Sequence, residues 1–160
     1  MIIDNYKEFL DTLLDNISKY KIDVSNYKLD HIGYQCSSDN DYDNLKNEVN
    51  EFASLVSENI VGGRRVGIFK LDSPLKYNNW GIEAFEIIAP KESQSCPSAL
   101  EHAELAVDSD FKTFIKKYSN IPFDTSKIDQ PVFPMVTLKL SENTQVKFHL
   151  KPILEIVKSQ

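Results

Sequence analysis

The chain has 160 residues, 41% of them hydrophobic and 26% charged, with a formal net charge of −6. That length fits one domain with a sizeable core, and an acidic balance with no basic run longer than Arg64-Arg65 excludes a nucleic-acid partner. No apolar run approaches the ~18 residues that span a bilayer, no leader pattern opens the chain, and Cys36 and Cys96 lack C-x-x-C spacing, so the reading is a cytoplasmic protein with free thiols and no membrane partner.

Tyr6, Phe9, Leu10, Leu13, Leu14, Ile17 and Tyr20 share one stripe of a 3.6-residue period, which predicts an amphipathic helix capped by Asp4 within an extension over 1–27. Leu29 to Cys36 has strand character and runs into Ser37-Ser38-Asp39-Asn40, a turn and helix cap. Tyr42, Leu45, Val49 and Phe52 mark a second helix. Strand-like runs follow at Ala53 to Ile60, Arg64 to Leu71 and Gly81 to Ala89, with Gly62-Gly63 as the hairpin between the first two. These elements make a first module over 28–90. The Ser-, Gln- and Pro-rich stretch at 91–99 reads as a linker, after which the order repeats over 100–151. A strand at Glu101 to Val107 precedes a helix bearing Phe111, Phe114, Ile115 and Tyr118, then extended segments near Val132 to Leu140 and Thr144 to Leu150. A closing helix over 152–160 starts at Pro152, where a missing amide hydrogen costs nothing. The pattern predicts an α+β fold, one domain over 1–160, built of two β-α-β-β-β modules with flanking N- and C-terminal helices.

All three histidines fall in strand-like runs, and two open matching segments, Asp30-His31 and Glu101-His102. Side chains two apart share a face of a strand. His31 therefore goes with Gly33 and Gln35, His102 with Glu104, Glu86 with Ala84, and His149 with Lys147. Each module offers one ligand at its first strand and one at its last: His31 and Glu86, then His102 and His149. Imidazoles with a carboxylate suit one divalent transition metal (Zn, Fe, Mn, Ni or Co) rather than Ca or Mg. The plainer reading is that each histidine is a hydrogen-bonded strand residue, and the joint pattern weighs against it. Glu104 reads as a fifth ligand, a general base, a partner holding His102 in one tautomer, or an ordinary solvated strand glutamate. By alternation Asp30 and Glu101 face away from the metal. Arg64 and Lys70 are either candidate clamps for an anionic substrate or solvated surface charge, and Tyr77 and Trp80 either wall a pocket or fill core. No nucleophile elbow, phosphate loop or H-E-x-x-H occurs.

Leu29-Asp30-His31-Ile32, Ser57-Glu58-Asn59-Ile60 with Gly63-Arg64, Phe69-Lys70-Leu71 with Pro74, Phe85-Glu86, Glu101-His102-Ala103-Glu104 and Val146-Lys147-Phe148-His149 occur in an order and spacing that resemble the YecM family. That family is similar in fold to the vicinal oxygen chelate superfamily, which includes glyoxalases, extradiol dioxygenases and fosfomycin-resistance proteins. The resemblance implies modules related by a pseudo-twofold axis, with curved mixed sheets forming an open cup around a divalent metal. Its first- and last-strand ligand positions fall on His31, Glu86, His102 and His149. Such sites often use three protein ligands, so one of the candidates is a bystander.

The function these readings support is a metal-dependent enzyme, an isomerase, lyase or dioxygenase, acting on a small substrate chelated through two oxygens, with Glu104 or Glu86 moving the proton. Fold analogy does not choose among those reactions. The rival is a binding module that sequesters a metal chelate or small ligand without turnover. The N-terminal helix, covering a sheet edge, tilts the expectation from homodimer toward monomer.

Overall fold

A computed structural model describes residues 2–160. Helix α1 (Tyr6–Lys19) leads into β1 (Lys28–Gln35), α2 (Asp39–Val49), β2 (Ala53–Val61), β3 (Arg64–Tyr77) and β4 (Trp80–Ile88); β5 (Ala99–Ala106), α3 (Phe111–Lys117), β6 (Val136–Lys139), β7 (Gln145–His149) and α4 (Ile153–Lys158) complete the chain. The strands form one seven-stranded sheet in the order β2-β3-β4-β1-β5-β7-β6. β1 runs parallel to β4, β5 runs parallel to β7, and the two halves meet where β1 pairs antiparallel with β5. The sheet therefore carries the module symmetry: β1 corresponds to β5, β4 to β7 and β3 to β6.

The fold class read from the sequence is the one observed, with local differences that have physical causes. Asn5, not Asp4, holds the N-cap position of α1, because the first helical bond runs from the Phe9 amide to the Asn5 carbonyl. Ser38 caps α2 by accepting from the Asp41 amide, and Asp110 caps α3 by accepting from the Thr113 amide. Gly62 and Gly63 both take positive φ in the β2–β3 hairpin, a conformation that costs glycine little. In the second module only residues 136–139 of the segment 132–140 are strand. Pro131 and Pro134 withhold amide donors from the ladder, and the strand that would match β2 survives as the single bridge between Asp124 and Thr137. Pro152 occupies the N-cap of α4, one position before the place expected for it.

One face of the sheet presents Ile32, Phe85, Ile87, Ala103, Leu105, Val146 and Phe148 to a core shared with α1, α2 and α3. Phe114 anchors α3 there, with its ring centroid 4.8 Å from Phe148, 5.2 Å from Phe123 and 5.4 Å from Tyr118. Trp80 donates to the Tyr27 carbonyl and stacks on Tyr77, whose hydroxyl reaches Asp11. Of the two roles open to these aromatics, they take core filling beneath the N-terminal extension. The opposite face is the concave one, and α4 lies over part of it through Ile153 against Ile68 and Ala84. No helix among the described residues is long and apolar enough to cross a membrane. Phe114 is fully buried, so Phe114→Ala is expected to cost about 3–5 kcal/mol in urea unfolding through lost burial and a residual cavity.

Candidate metal centre

The concave face holds an unusual density of buried ionisable groups: Asp30, His31, Glu86, His102, Glu104, Lys147 and His149 are each at most 9% exposed. Their convergence begins at the β1–β5 pairing. His31 stands opposite Glu104, and His102 opposite Gly33, as a twofold axis between the strands requires. The register slips once between Leu29 and His31 and once between Gly33 and Tyr34, which leaves Asp30 as an extra residue on β1 and Glu101 as an extra residue on β5. A bulge re-aims a side chain that regular alternation would send to the other face. Asp30 and Glu101 therefore do not point away from their histidines, as strict alternation predicts. Asp30 Oδ2 lies 2.8 Å from His31 Nδ1, and Glu101 Oε2 lies 2.6 Å from His102 Nδ1. Each acid orients its imidazole and leaves the Nε2 atom to face the cup.

His31, Glu86, His102 and Glu104 each offer a ligand atom, and these atoms lie within 4.8 Å of one another. His102 Nε2 is 2.8 Å from Glu86 Oε2 and 3.6 Å from Glu104 Oε1, and His31 Nε2 is 3.5 Å from the same Glu104 oxygen. Bonds of about 2.0–2.2 Å to a metal imply donor-to-donor edges of about 2.9–3.5 Å, which these spacings approach. His31 Nε2 has no hydrogen-bond partner although it is buried, a state that normally calls for an explanation such as a bound ion. The donor set thus fits a divalent transition metal. Gly33 gives His102 its room: a Cβ there would come within 2.0 Å of the imidazole Cε1.

Lys147 completes the floor and was not singled out from the sequence. Its Nζ is 3.0 Å from Glu104 Oε1, 3.2 Å from His102 Nε2 and 3.7 Å from Glu86 Oε2. Glu86 stands opposite Gly33 on β4, and Lys147 stands opposite Glu104 on β7. Lys147, not His149, is thus the symmetry counterpart of Glu86. The signal was present in Val146-Lys147-Phe148-His149, where alternation buries Val146 and Phe148 and turns Lys147 into the cup with His149. A lysine there needs carboxylate partners.

These charges set one another. Burial works against the Glu86 carboxylate, yet Lys147 and His102 outweigh it and bring its pKa down to about 2. Glu104 is likewise penalised by burial and still held well below the ordinary carboxyl range by His31 and Lys147. Burial disfavours the His31 imidazolium, but Glu104 and Asp30 raise its pKa to about 10. His149 goes the other way, its pKa lowered chiefly by burial.

Around this floor opens a cavity of about 470 Å³, reached by Glu86, Glu104 and Lys147 and lined further out by Arg64, Lys91 and Lys127. Arg64 donates to Gln35 Oε1, and the Gln35 amide is itself fixed on the carbonyls of Cys36 and Ile88. Lys70 is exposed and does not line the cavity. Lys91 and Lys127, in loops without strand periodicity, supply the cations that Lys70 does not. Val132, Phe133, Ile156 and Val157 form an apolar wall opposite.

Comparison with known proteins agrees with this architecture. Residues 1–150 match the family described as YecM protein. The chain belongs to the YecM family. It is similar to Protein YecM of Escherichia coli K12, 25% identical over 162 residues, covering 92% of this chain and 86% of that protein. An uncharacterised protein of Haemophilus influenzae is 27% identical over 99 residues, 62% of this chain and 52% of the relative. Among solved structures, a structural-genomics protein superimposes with a TM-score of 0.79 at 23% identity, covering 99% of this chain and 91% of that one. Fold neighbours include a methylmalonyl-CoA epimerase bound to methylmalonyl-CoA and NH4+ (TM-score 0.54, 11% identity, 79% and 96% coverage) and the halotolerant catechol dioxygenase BphC (0.51, 15%, 77% and 40%). The fold is that of the glyoxalase and extradiol dioxygenase group, the vicinal oxygen chelate fold.

Two outcomes follow from this geometry. Gly33→Ala should displace the His102 ring, read as a shift of its imidazole resonances in NMR, while the chain stays folded. In metal-stripped protein, the His31 pKa of about 10 exceeds its ordinary 6.5, so its contribution to stability is complete below pH 6.5 and is lost as pH rises toward 10. Thermal melts should show a midpoint falling across that window, and His31→Gln should flatten the fall.

Proposed function

We propose that this protein is a metal-dependent enzyme that binds one divalent transition ion through His31, Glu86, His102 and Glu104 and acts on a small, oxygen-bearing anion. The observation that carries the reading is the set of four buried donor atoms within 4.8 Å of one another at the floor of a cavity. A divalent ion there would supply Lewis acidity to two substrate oxygens and stabilise enolate-like charge.

The chain's own groups divide the remaining work. Arg64, Lys91 and Lys127 draw a carboxylate or phosphate into the mouth, and the apolar wall excludes water from the far side. Lys147 Nζ, 3.0 Å from Glu104 Oε1 and part of the cavity lining, is placed to donate a hydrogen bond to a substrate oxygen; in the metal-free chain burial disfavours its ammonium, and Glu104 and Glu86 raise its pKa. The low pKa of Glu86 and Glu104 favours the role of ligand for both and runs against the proton-transfer role expected from the sequence, because a carboxylate so well stabilised is a weak base. His149 stands aside from the four donors, 3.8 Å from Glu104 Oε2 and 3.5 Å from Asp30 Oδ2. The fold neighbours, one holding an acyl-CoA ester and one a catechol dioxygenase, support a small oxygen-rich substrate without selecting a reaction.

Wild-type protein should hold bound metal, and His31→Ala and His102→Ala should each hold about one equivalent less in elemental analysis; retention of wild-type content by both variants would sink the reading. With metal restored, solvent-proton exchange and dioxygen uptake are to be assayed over 2-oxo, hydroxy and catechol acids. Tight binding without turnover throughout would favour a sequestering module over an enzyme. Lys127→Gln should raise KM for an anionic substrate several-fold and leave kcat nearly unchanged, since the side chain acts at the mouth.

A further inference from the structure

The carboxylate of Glu104 faces two ways. Its Oε1 lies 3.0 Å from Lys147 Nζ, 3.5 Å from His31 Nε2 and 3.6 Å from His102 Nε2, all groups of the floor described above. Its Oε2 is buried, has no hydrogen-bond partner and turns toward His149 Nε2 at 3.8 Å. His149 is 1% exposed, and neither of its ring nitrogens has a partner. Its Nε2 also lies 3.5 Å from Asp30 Oδ2. Asp30 is held in place by the Ile153 amide at 2.9 Å and His31 Nδ1 at 2.8 Å.

Separations of 3.5 and 3.8 Å are too long for hydrogen bonds, and they are near the edges of a coordination polyhedron whose bonds are about 2.0–2.2 Å. A buried imidazole and a buried carboxylate oxygen that both lack a hydrogen-bond partner call for an explanation, and a shared cation supplies one. The charges point the same way. Asp30, Glu86, Glu101 and Glu104 face a single ammonium, Lys147, so one divalent ion bound by neutral imidazoles leaves the cluster negative.

We infer that Asp30, Glu104 and His149 form a second cation seat for a divalent transition metal, adjoining the first, with Glu104 bridging the two through its separate oxygens. The inference deepens the proposed function and rests on it for the first ion. Bridged pairs of this kind stand about 3.5–4 Å apart. The Phe133 ring stacks over His149 at 5.8 Å, and neither Asp30 nor His149 lines the cavity. The second ion is therefore screened from substrate. It fixes Glu104 and, through Asp30, ties the start of α4 to the sheet.

The test is equilibrium dialysis of the metal-stripped full chain against Co2+ alone, with cobalt and protein quantified in the retained fraction. Two equivalents are expected for wild type and one each for His149→Gln, Asp30→Asn and His102→Gln. Wild type loaded with Mn2+ should give an exchange-coupled paramagnetic resonance signal that His149→Gln abolishes. One equivalent in wild type, unchanged in His149→Gln, overturns the second seat and leaves the proposed function standing; this is the result expected if His149 is an imidazolium paired with Asp30 and Glu104. No bound cobalt in wild type overturns both. Wild-type stoichiometry decides the matter even if a variant fails to fold.

Discussion

The antiparallel seam between β1 and β5 is the constraint on which the rest of this structure depends. Two strands from different modules are placed side by side about a pseudo-twofold axis, so that His31 faces Glu104 and His102 faces Gly33. Each strand carries one extra residue at its bulge, and that residue is the acid preceding the histidine. Without the bulges, Asp30 and Glu101 would enter the apolar core on the helical side, where burying a carboxylate is costly. With them, each acid stays beside an imidazole, fixes its orientation and lets Nε2 face the cup. The last strands of the modules then add Glu86 and Lys147 at matching positions.

Symmetry brings the groups together, and departures from symmetry make the site chemically specific. Where Glu104 stands in one module, Gly33 stands in the other, and its missing side chain is the space the His102 ring occupies. Where Glu86 stands, the other module has a lysine. A cluster of carboxylates alone would repel itself in a buried setting. Lys147 and the two imidazoles hold Glu86 and Glu104 anionic despite burial. The cluster is thus prepared for positive charge, which the chain supplies partly through an ammonium and partly, in the proposed function, through metal. The cationic mouth of Arg64, Lys91 and Lys127 stands out in a chain of net charge −6. Its position over an anionic floor suits a ligand that carries negative charge outward and presents neutral or chelating oxygens inward.

Local pattern was enough for most of the fold. The 3.6-residue stripe of α1, the strand runs on either side of Gly62-Gly63, and the repeated order of strand, helix and strands are visible in the chain because hydrophobic periodicity is a local consequence of one-sided burial. Alternation also put His31, His102, Glu86, Glu104 and His149 on the inward face, since it needs only the identity of each strand. It failed at Asp30 and Glu101 because a bulge is a property of a pair of strands: an extra residue on one exists only relative to the register of the other. Lys70 and Lys147 exchanged importance for a related reason. Both share a strand face with plausible site residues, and only the exposure of Lys70 and the pairing of β7 with β5 tell them apart.

By itself, then, the sequence determined the element types, the two-module order, the inward histidines and the family, all of which follow from short-range periodicity or from motifs in fixed order. The tertiary structure alone decided which inward groups meet, that the preceding acids turn to the same side, that Lys147 rather than His149 mirrors Glu86, and which cations ring the mouth. Those outcomes depend on register between strands distant in sequence and on charges brought together at a few ångströms, and no local pattern in the chain carries that information.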